Sequence, residues 1–269
     1  MTTLRTLAIL ASGVLAVLVL HLFSDAPGSA ARAAAPAAGA RGPAAGPGRG
    51  RGGRNAAPVD TTPRTLAPYF IPATAAPKPP DREGFLQRWV ILEPINLNLR
   101  TNTGFNENYV RTTITKEYFP NQFTGVPHDG DQVTVGGEQL AWHAVDSTAF
   151  NVKLFRFAYG LNKTIYGVMF WSVTVVNSPR ELKDVRLAVG SNSASMWWVN
   201  GKEAVGLFGD RRMVADDCVS KRITLNKGAN VIRGAVINGP GMSDFCVRFL
   251  DENGEPVRDL TQSFDGADK

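Results

Sequence analysis

The sequence predicts an all-β protein, an antiparallel β-sandwich with one short helix. Three observations predict it. Between residues 85 and 260 short apolar runs rich in β-branched and aromatic residues follow one another closely. Glycine-containing turns at Gly136-Gly137, Asn200-Gly201, Lys227-Gly228 and Asn253-Gly254 separate them. A helical period shows only once, over residues 107–119. About nine strands in roughly 175 residues suit a jelly roll.

The chain starts differently. Arg5 precedes an apolar run from Leu7 to Phe23, and small-residue sites such as Ala31-Arg32-Ala33 follow. Residues 1–33 therefore read as a signal peptide or an uncleaved signal anchor, and the body is expected outside the cytoplasm, periplasmic, envelope-associated or secreted. A membrane is met only through this segment, if it is retained. Residues 34–80 are rich in Ala, Pro, Gly and Arg and hold too few apolar side chains to offset chain entropy, so they are expected to form a disordered linker. Of the 29 Lys and Arg and 24 Asp and Glu, eight and two fall in residues 1–80. The remaining 21 bases and 22 acids balance, so the net charge of +5 belongs to the tail. It gives the body no electrostatic footprint for nucleic acid. The "GRGRGGR" stretch behind an export signal reads as a basic linker rather than an RNA-binding box.

The body is expected over residues 81–262, with a polar tail at 263–269. Its first strand is "RWVILEPI" (88–95). Tyr109, Ile114 and Tyr118 give the helix an apolar stripe, and Pro120 stops it. "DQVTV" and "EQLAWHAV" flank Gly136-Gly137 as a hairpin, and "FNVKLFRFAYG" follows as a further strand. "IYGVMFWSVTVV" (165–176) is apolar throughout, the pattern of a strand buried on both faces. Pro179 closes it. "VRLAV", "ASMWWV", "EAVGLF", "KRITL", "NVIRGAVI" and "DFCVRFL" complete the set.

Three of these segments carry a resemblance. Trp198-Val199-Asn200-Gly201-Lys202, Leu225-Asn226-Lys227-Gly228-Ala229-Asn230, and Phe245-Cys246-Val247-Arg248-Phe249 leading to Gly254 and Pro256 resemble the galactose-binding-like jelly rolls found beside glycoside hydrolase and acetylxylan-esterase-like modules. "RWVILEPI" is similar to the opening of the same modules, with Glu93 where glycine is usual. The resemblance spans about residues 85–260. It implies a carbohydrate-binding module with a polysaccharide or glycan as partner. A carbohydrate esterase or glycosidase, and a structural module docking on another envelope or secreted protein, are the alternatives.

Adjacent Trp197 and Trp198 must face opposite sides of their strand. A two-residue turn at 200–201 pairs Val199 with Lys202, Trp198 with Glu203 and Trp197 with Ala204. Trp197 then faces inward with Val199, Ala204 and Gly206. Trp198 lies on the outer face with Met196, Val205 and Leu207. Either it packs beneath the helix, or it stacks on a sugar ring with Asn200, Lys202 and Glu203 bonding the hydroxyls.

Catalytic residues are harder to place. Beyond the signal only His128 and His143 can serve a Ser-His-Asp triad, and both read as structural or solvated. No Gly-x-Ser-x-Gly elbow is present. Asp210, Asp216 and Asp217 in "GDRRMVADD" are candidate ligands for a structural Ca²⁺, with Arg211 and Arg212 as competing ion-pair partners. No other cofactor is expected. Cys218 and Cys246 form a disulfide or remain two small thiols.

Overall fold

The chain folds as an antiparallel β-sandwich. The structure, a computed structural model, describes residues 63–264; the expected signal segment and the Arg/Gly stretch of the expected linker lie outside the described residues. The large sheet holds, in spatial order, β1 (Phe70–Pro72), β5 (Glu138–Ser147), β2 (Arg88–Leu92), β6 (Val168–Ser178), β12 (Gly228–Asn238), β8 (Ala194–Val199) and β9 (Lys202–Leu207). β3 (Ile95–Asn96) and β14 (Thr261–Ser263) add to β6, and β4 (Gln132–Val135) adds to β5. The small sheet centres on β7 (Leu182–Ser191). β13 (Phe245–Leu250) runs along one side of it, and β10 (Cys218–Val219) and β11 (Ile223–Leu225) along the other.

The two sheets face each other across one core. Trp89, Phe170, Trp197 and Ile232 come from the large sheet, and Leu187, Phe245 and Val247 from the small one. Three rings lock its centre: Trp89 and Trp197 each pack against Phe245, with centroids 5.0 and 4.9 Å away, and lie 6.0 Å from each other. Their indole N–H groups are satisfied inside, Trp89 on the Leu86 carbonyl and Trp197 on the Ser195 hydroxyl, both at 2.9 Å. Burial without such partners would cost on the order of 1–3 kcal/mol per group.

A second core covers the opposite face of the large sheet. Trp142, Trp171, Met196 and Trp198 point into it from the strands. Phe105, Phe119, Val110 and Ile114 close it from above. The last two belong to α1 (Glu107–Thr115), whose first turn is capped by the Asn106 side chain accepting from the Tyr109 amide at 3.0 Å. The helix is shorter than its apolar stripe suggests, because Lys116 is already extended. Double cover explains why β6 is apolar on both faces, as the sequence predicts.

Tight packing also explains a glycine in the middle of β12. Gly234 lies opposite Trp197, and a Cβ built on it would stand 2.2 Å from the indole Cζ3.

Three expectations need correction. "LFRFAYG" is not a strand but α2 (Leu154–Gly160). Leu154, Phe157 and Ala158 are its buried residues, a helical spacing hidden in an aromatic-rich stretch. The linker does not extend to residue 80: β1 pairs with β5, Lys78 bridges to Gln262, and Leu66 and Tyr69 pack on the main core. At the other end Phe264 packs on the outer core, so the sandwich passes residue 262. Finally, Asn200 and Gly201 do form the turn, with φ of 50° and 76°, but the pairing then slips. Trp198 faces Glu203, yet Trp197 faces Val205, leaving Ala204 as a bulge. That extra residue swings Val205 and Leu207 to the inner core beside Trp197 and Val199. Trp197 is inward, as expected.

Candidate functional site

Most of the predicted ligand set near the Asn-Gly turn is occupied in holding the fold. Trp198 is 8% exposed. Its ring stacks on Trp171 at 5.8 Å and 16°, and Phe123 meets it edge-on at 5.8 Å. It therefore offers no free face to a sugar. Asn200 donates to Asn230 Oδ1 at 2.8 Å and accepts from the Val231 amide at 2.9 Å. Asn230 is fully buried; it accepts from the Asn226 amide and donates to the carbonyls of Asn226 and Gly228. The asparagines of two resemblance motifs thus fasten one turn to the other. Glu203 takes Arg111 Nη1 on both oxygens at 2.8 Å, tying β9 to α1. Asn200, Lys202 and Glu203 do line one groove of about 570 Å³, but of the four predicted residues only Lys202 is exposed without a bonding partner.

The acidic loop separates its carboxylates. Asp210 accepts from Asn102 at 2.9 Å, Asp216 clasps Arg248 Nε at 3.0 and 3.1 Å, and Asp217 pairs with Arg211 at 3.2 Å. Among the described residues no three His, Cys, Asp or Glu side chains gather as metal ligands. Asp217 and Asp216 are thus engaged in ion pairs with Arg211 and Arg248. The cysteines do not bond either. β10 and β13 flank β7 on opposite sides, so the two backbones are two strand spacings apart, about 9–10 Å, beyond disulfide reach. Cys218 packs toward the main core, whereas Cys246 sits beside Met213, its sulfur 3.6 Å from the Met213 sulfur. Burial pushes the Cys246 thiol up to about 12.

Both histidines have acidic partners. His143 Nε2 lies 3.3 Å from Glu93, which also takes Lys163 at 2.9 Å and the Ala141 amide at 3.1 Å. Burial alone would raise the Glu93 pKa; the Lys163, Ala141 and His143 bonds outweigh it and hold the carboxyl below its usual value. The glutamate that departs from the resembled pattern is thus the anchor of an ion cluster. His128 sits on Asp131, its ring 3.6 Å away.

A different groove has side chains to spare. It lies between β4 and residues 119–127 and encloses about 530 Å³. Phe119, Trp142 and Val173 form an apolar floor. Gln122 prefolds one wall, accepting from the Tyr118 amide at 2.7 Å and donating to the Lys116 carbonyl at 2.9 Å. The Thr124 and Gly125 amides both turn back onto the Asn121 carbonyl. On the rim stand Asn121, Gln132 and Thr134, exposed side chains without bonding partners in the described chain, and Asp131.

Beneath this groove lies a buried cation. Arg233 on β12 is 3% exposed. One Nη donates to the Gly125 carbonyl in the groove wall, while Nε has no partner. Burial lowers its pKa to about 10, and among the described residues no carboxylate offsets it. Trp171, on the same face of the neighbouring strand, also buries an unpaired indole N–H. Sequence reasoning missed both. The available signal was a single arginine amid the apolar residues of "NVIRGAVI".

No family model and no curated protein matches the chain. Solved structures give weak likenesses. A PA14 sugar-binding domain from an RTX adhesin is 9% identical with a TM-score of 0.38, over 65% of this chain and 96% of that one. The PA14 domain of the antifreeze protein MpAFP is 10% identical with a TM-score of 0.39, over 65% and 89%. A β-glucosidase from Kluyveromyces marxianus is 17% identical with a TM-score of 0.28, over 41% of this chain and 13% of that one.

Proposed function

We propose that the sandwich is a non-catalytic, galactose-binding-like jelly-roll module that grips a glycan in the groove between β4 and residues 119–127. The observation that carries this reading is the set of unpaired side chains, Asn121, Gln132 and Thr134, around the Phe119–Trp142–Val173 floor. A sugar ring has apolar C–H faces and a belt of hydroxyls, and an apolar floor with a polar rim matches both. The prefolded wall lowers the ordering cost of binding. In this reading the N-terminal segment exports the module and the Ala/Pro/Gly/Arg-rich stretch tethers it.

Affinity electrophoresis of the full chain in gels cast with different polysaccharides tests the proposal. Retardation by at least one glycan is expected. Each rim hydrogen bond is worth about 1 kcal/mol, so Asn121→Ala combined with Gln132→Ala weakens binding roughly tenfold to thirtyfold. Lys202→Ala, on the other groove, changes it less than about twofold. Failure of every glycan to retard the chain rejects the module reading. Acetate release from acetylated xylan that disappears in His143→Ala would overturn the non-catalytic part.

A further inference from the structure

We infer that the glycan in this groove is anionic, with its carboxylate or sulfate group seated on Arg233. The inference rests on the glycan-binding reading and adds the ligand's charge. Two arginines are buried among the described residues. Arg88 is matched in full: Nε and Nη2 grip the two oxygens of Asp146 at 2.8 and 3.0 Å. Arg233 has no such partner, only one carbonyl for five N–H donors.

An uncompensated buried charge destabilises a fold, and buried groups perturbed in this way cluster at functional sites. The position suits a ligand. Val173, the cross-strand neighbour of Arg233, lies on the groove floor, and the Gly125 carbonyl it bonds lies in the wall. The unpaired indole N–H of Trp171 is two residues from Val173 on the same face of β6, so a second donor stands nearby. An oxyanion that replaces the Gly125 carbonyl exchanges a partial negative charge for a full one, and the guanidinium fork fits a carboxylate or a sulfate on two edges. Asp131, the one carboxylate on the rim, is engaged by the His128 amide at 2.7 Å and by the His128 ring.

Tryptophan fluorescence of the full chain reads the site, since Trp142 floors the groove and Trp171 adjoins it. The chain is titrated with glucuronate, with glucose 6-sulfate, with glucose and with sodium sulfate alone. At least one acidic sugar is expected to bind tenfold or more tightly than glucose. In Arg233→Met that preference disappears, the ratio of acidic-sugar to glucose affinity falling to about one. The same variant melts at a higher temperature by circular dichroism, because an unpaired charge has left the interior. Arg233→Lys, which keeps the charge and loses the fork, retains part of the preference. Equal affinity of the wild type for glucuronate, glucose 6-sulfate and glucose overturns the inference and leaves the glycan reading standing. Sodium sulfate binding as tightly as glucose 6-sulfate keeps the anion seat and overturns the glycan reading. Absence of any binding overturns both.

Discussion

Gly234→Ala adds one methyl group at a crowded point of the inner core. The new Cβ would lie 2.2, 2.4 and 2.6 Å from Cζ3, Cε3 and Cη2 of Trp197, where ordinary contact begins at 3.4 Å. The ring would have to retreat by about 1.2 Å, the difference between 3.4 and 2.2 Å. It has nowhere to go: Phe245 stands 4.9 Å away, Trp89 6.0 Å away, and the indole N–H is held by Ser195. Overpacking of this kind costs about 1–3 kcal/mol. Replacing glycine by alanine returns about 0.4–1 kcal/mol by restricting the unfolded chain. A net loss of about 1–2 kcal/mol remains, worth roughly 2–8 °C in melting temperature at this chain length. Urea denaturation followed by circular dichroism measures it as a lower midpoint with an unchanged slope. Trp197→Leu removes the clashing half of the indole, so in that background Gly234→Ala becomes neutral or favourable, with a coupling of at least about 1 kcal/mol. A wild-type background indifferent to Gly234→Ala, or additive costs in the double variant, would refute the claim that the ring face excludes a side chain.

Asn230→Ala strands the polar groups that the buried amide serves and should cost about 2–3 kcal/mol in urea denaturation, with Asn200→Ala costing less because its turn is exposed. Glu93 is held below the ordinary carboxylate range, so its contribution to stability is full above the unfolded pKa near 4.5 and is lost as pH falls through the lower folded value. Glu93→Gln should therefore flatten the acid limb of a melting-temperature profile. Asp244 behaves oppositely: burial raises its pKa despite the Asn151 bond, so the fold gains stability from it as pH drops from the raised folded value toward 3.8, and Asp244→Asn should remove that gain. In the native chain at pH 8, iodoacetamide should label half-buried Cys218 and spare Cys246, whose thiol is buried and titrates near 12, with mass spectrometry counting one adduct.

Local chemistry made much of the fold legible. Asn200-Gly201 named its own turn because few residues accept positive φ, and the run through Val168–Val176 declared a strand covered on both faces because no polar residue interrupts it for long. The helix at Glu107 was readable from its apolar spacing, and its Asn106 cap emerged only in the structure. What stayed hidden depended on partners distant in sequence. Ala204 bulges because Trp197 seats opposite Val205, a choice made by the whole hairpin. α2 was masked because rings that suit strands also suit a short helix at the sandwich end. The groove is assembled from residues 119–134, Trp142 and Val173, and no contiguous motif spells it. The partners of the predicted binding residues were hidden for a related reason: Asn200 and Glu203 look available until Asn230 and Arg111 are found beside them.

The bulge at Ala204 makes a reading-frame-preserving deletion there unlike any substitution in the hairpin. Removing that single codon would restore strict alternation along β9 while leaving Glu203 opposite Trp198 and Val205 opposite Trp197, so Val205 and Leu207 would keep their places beside the central rings. Loss of one residue elsewhere along β9 would flip those side chains, so Ala204 is the position in this strand where the chain can be shortened without changing what it buries.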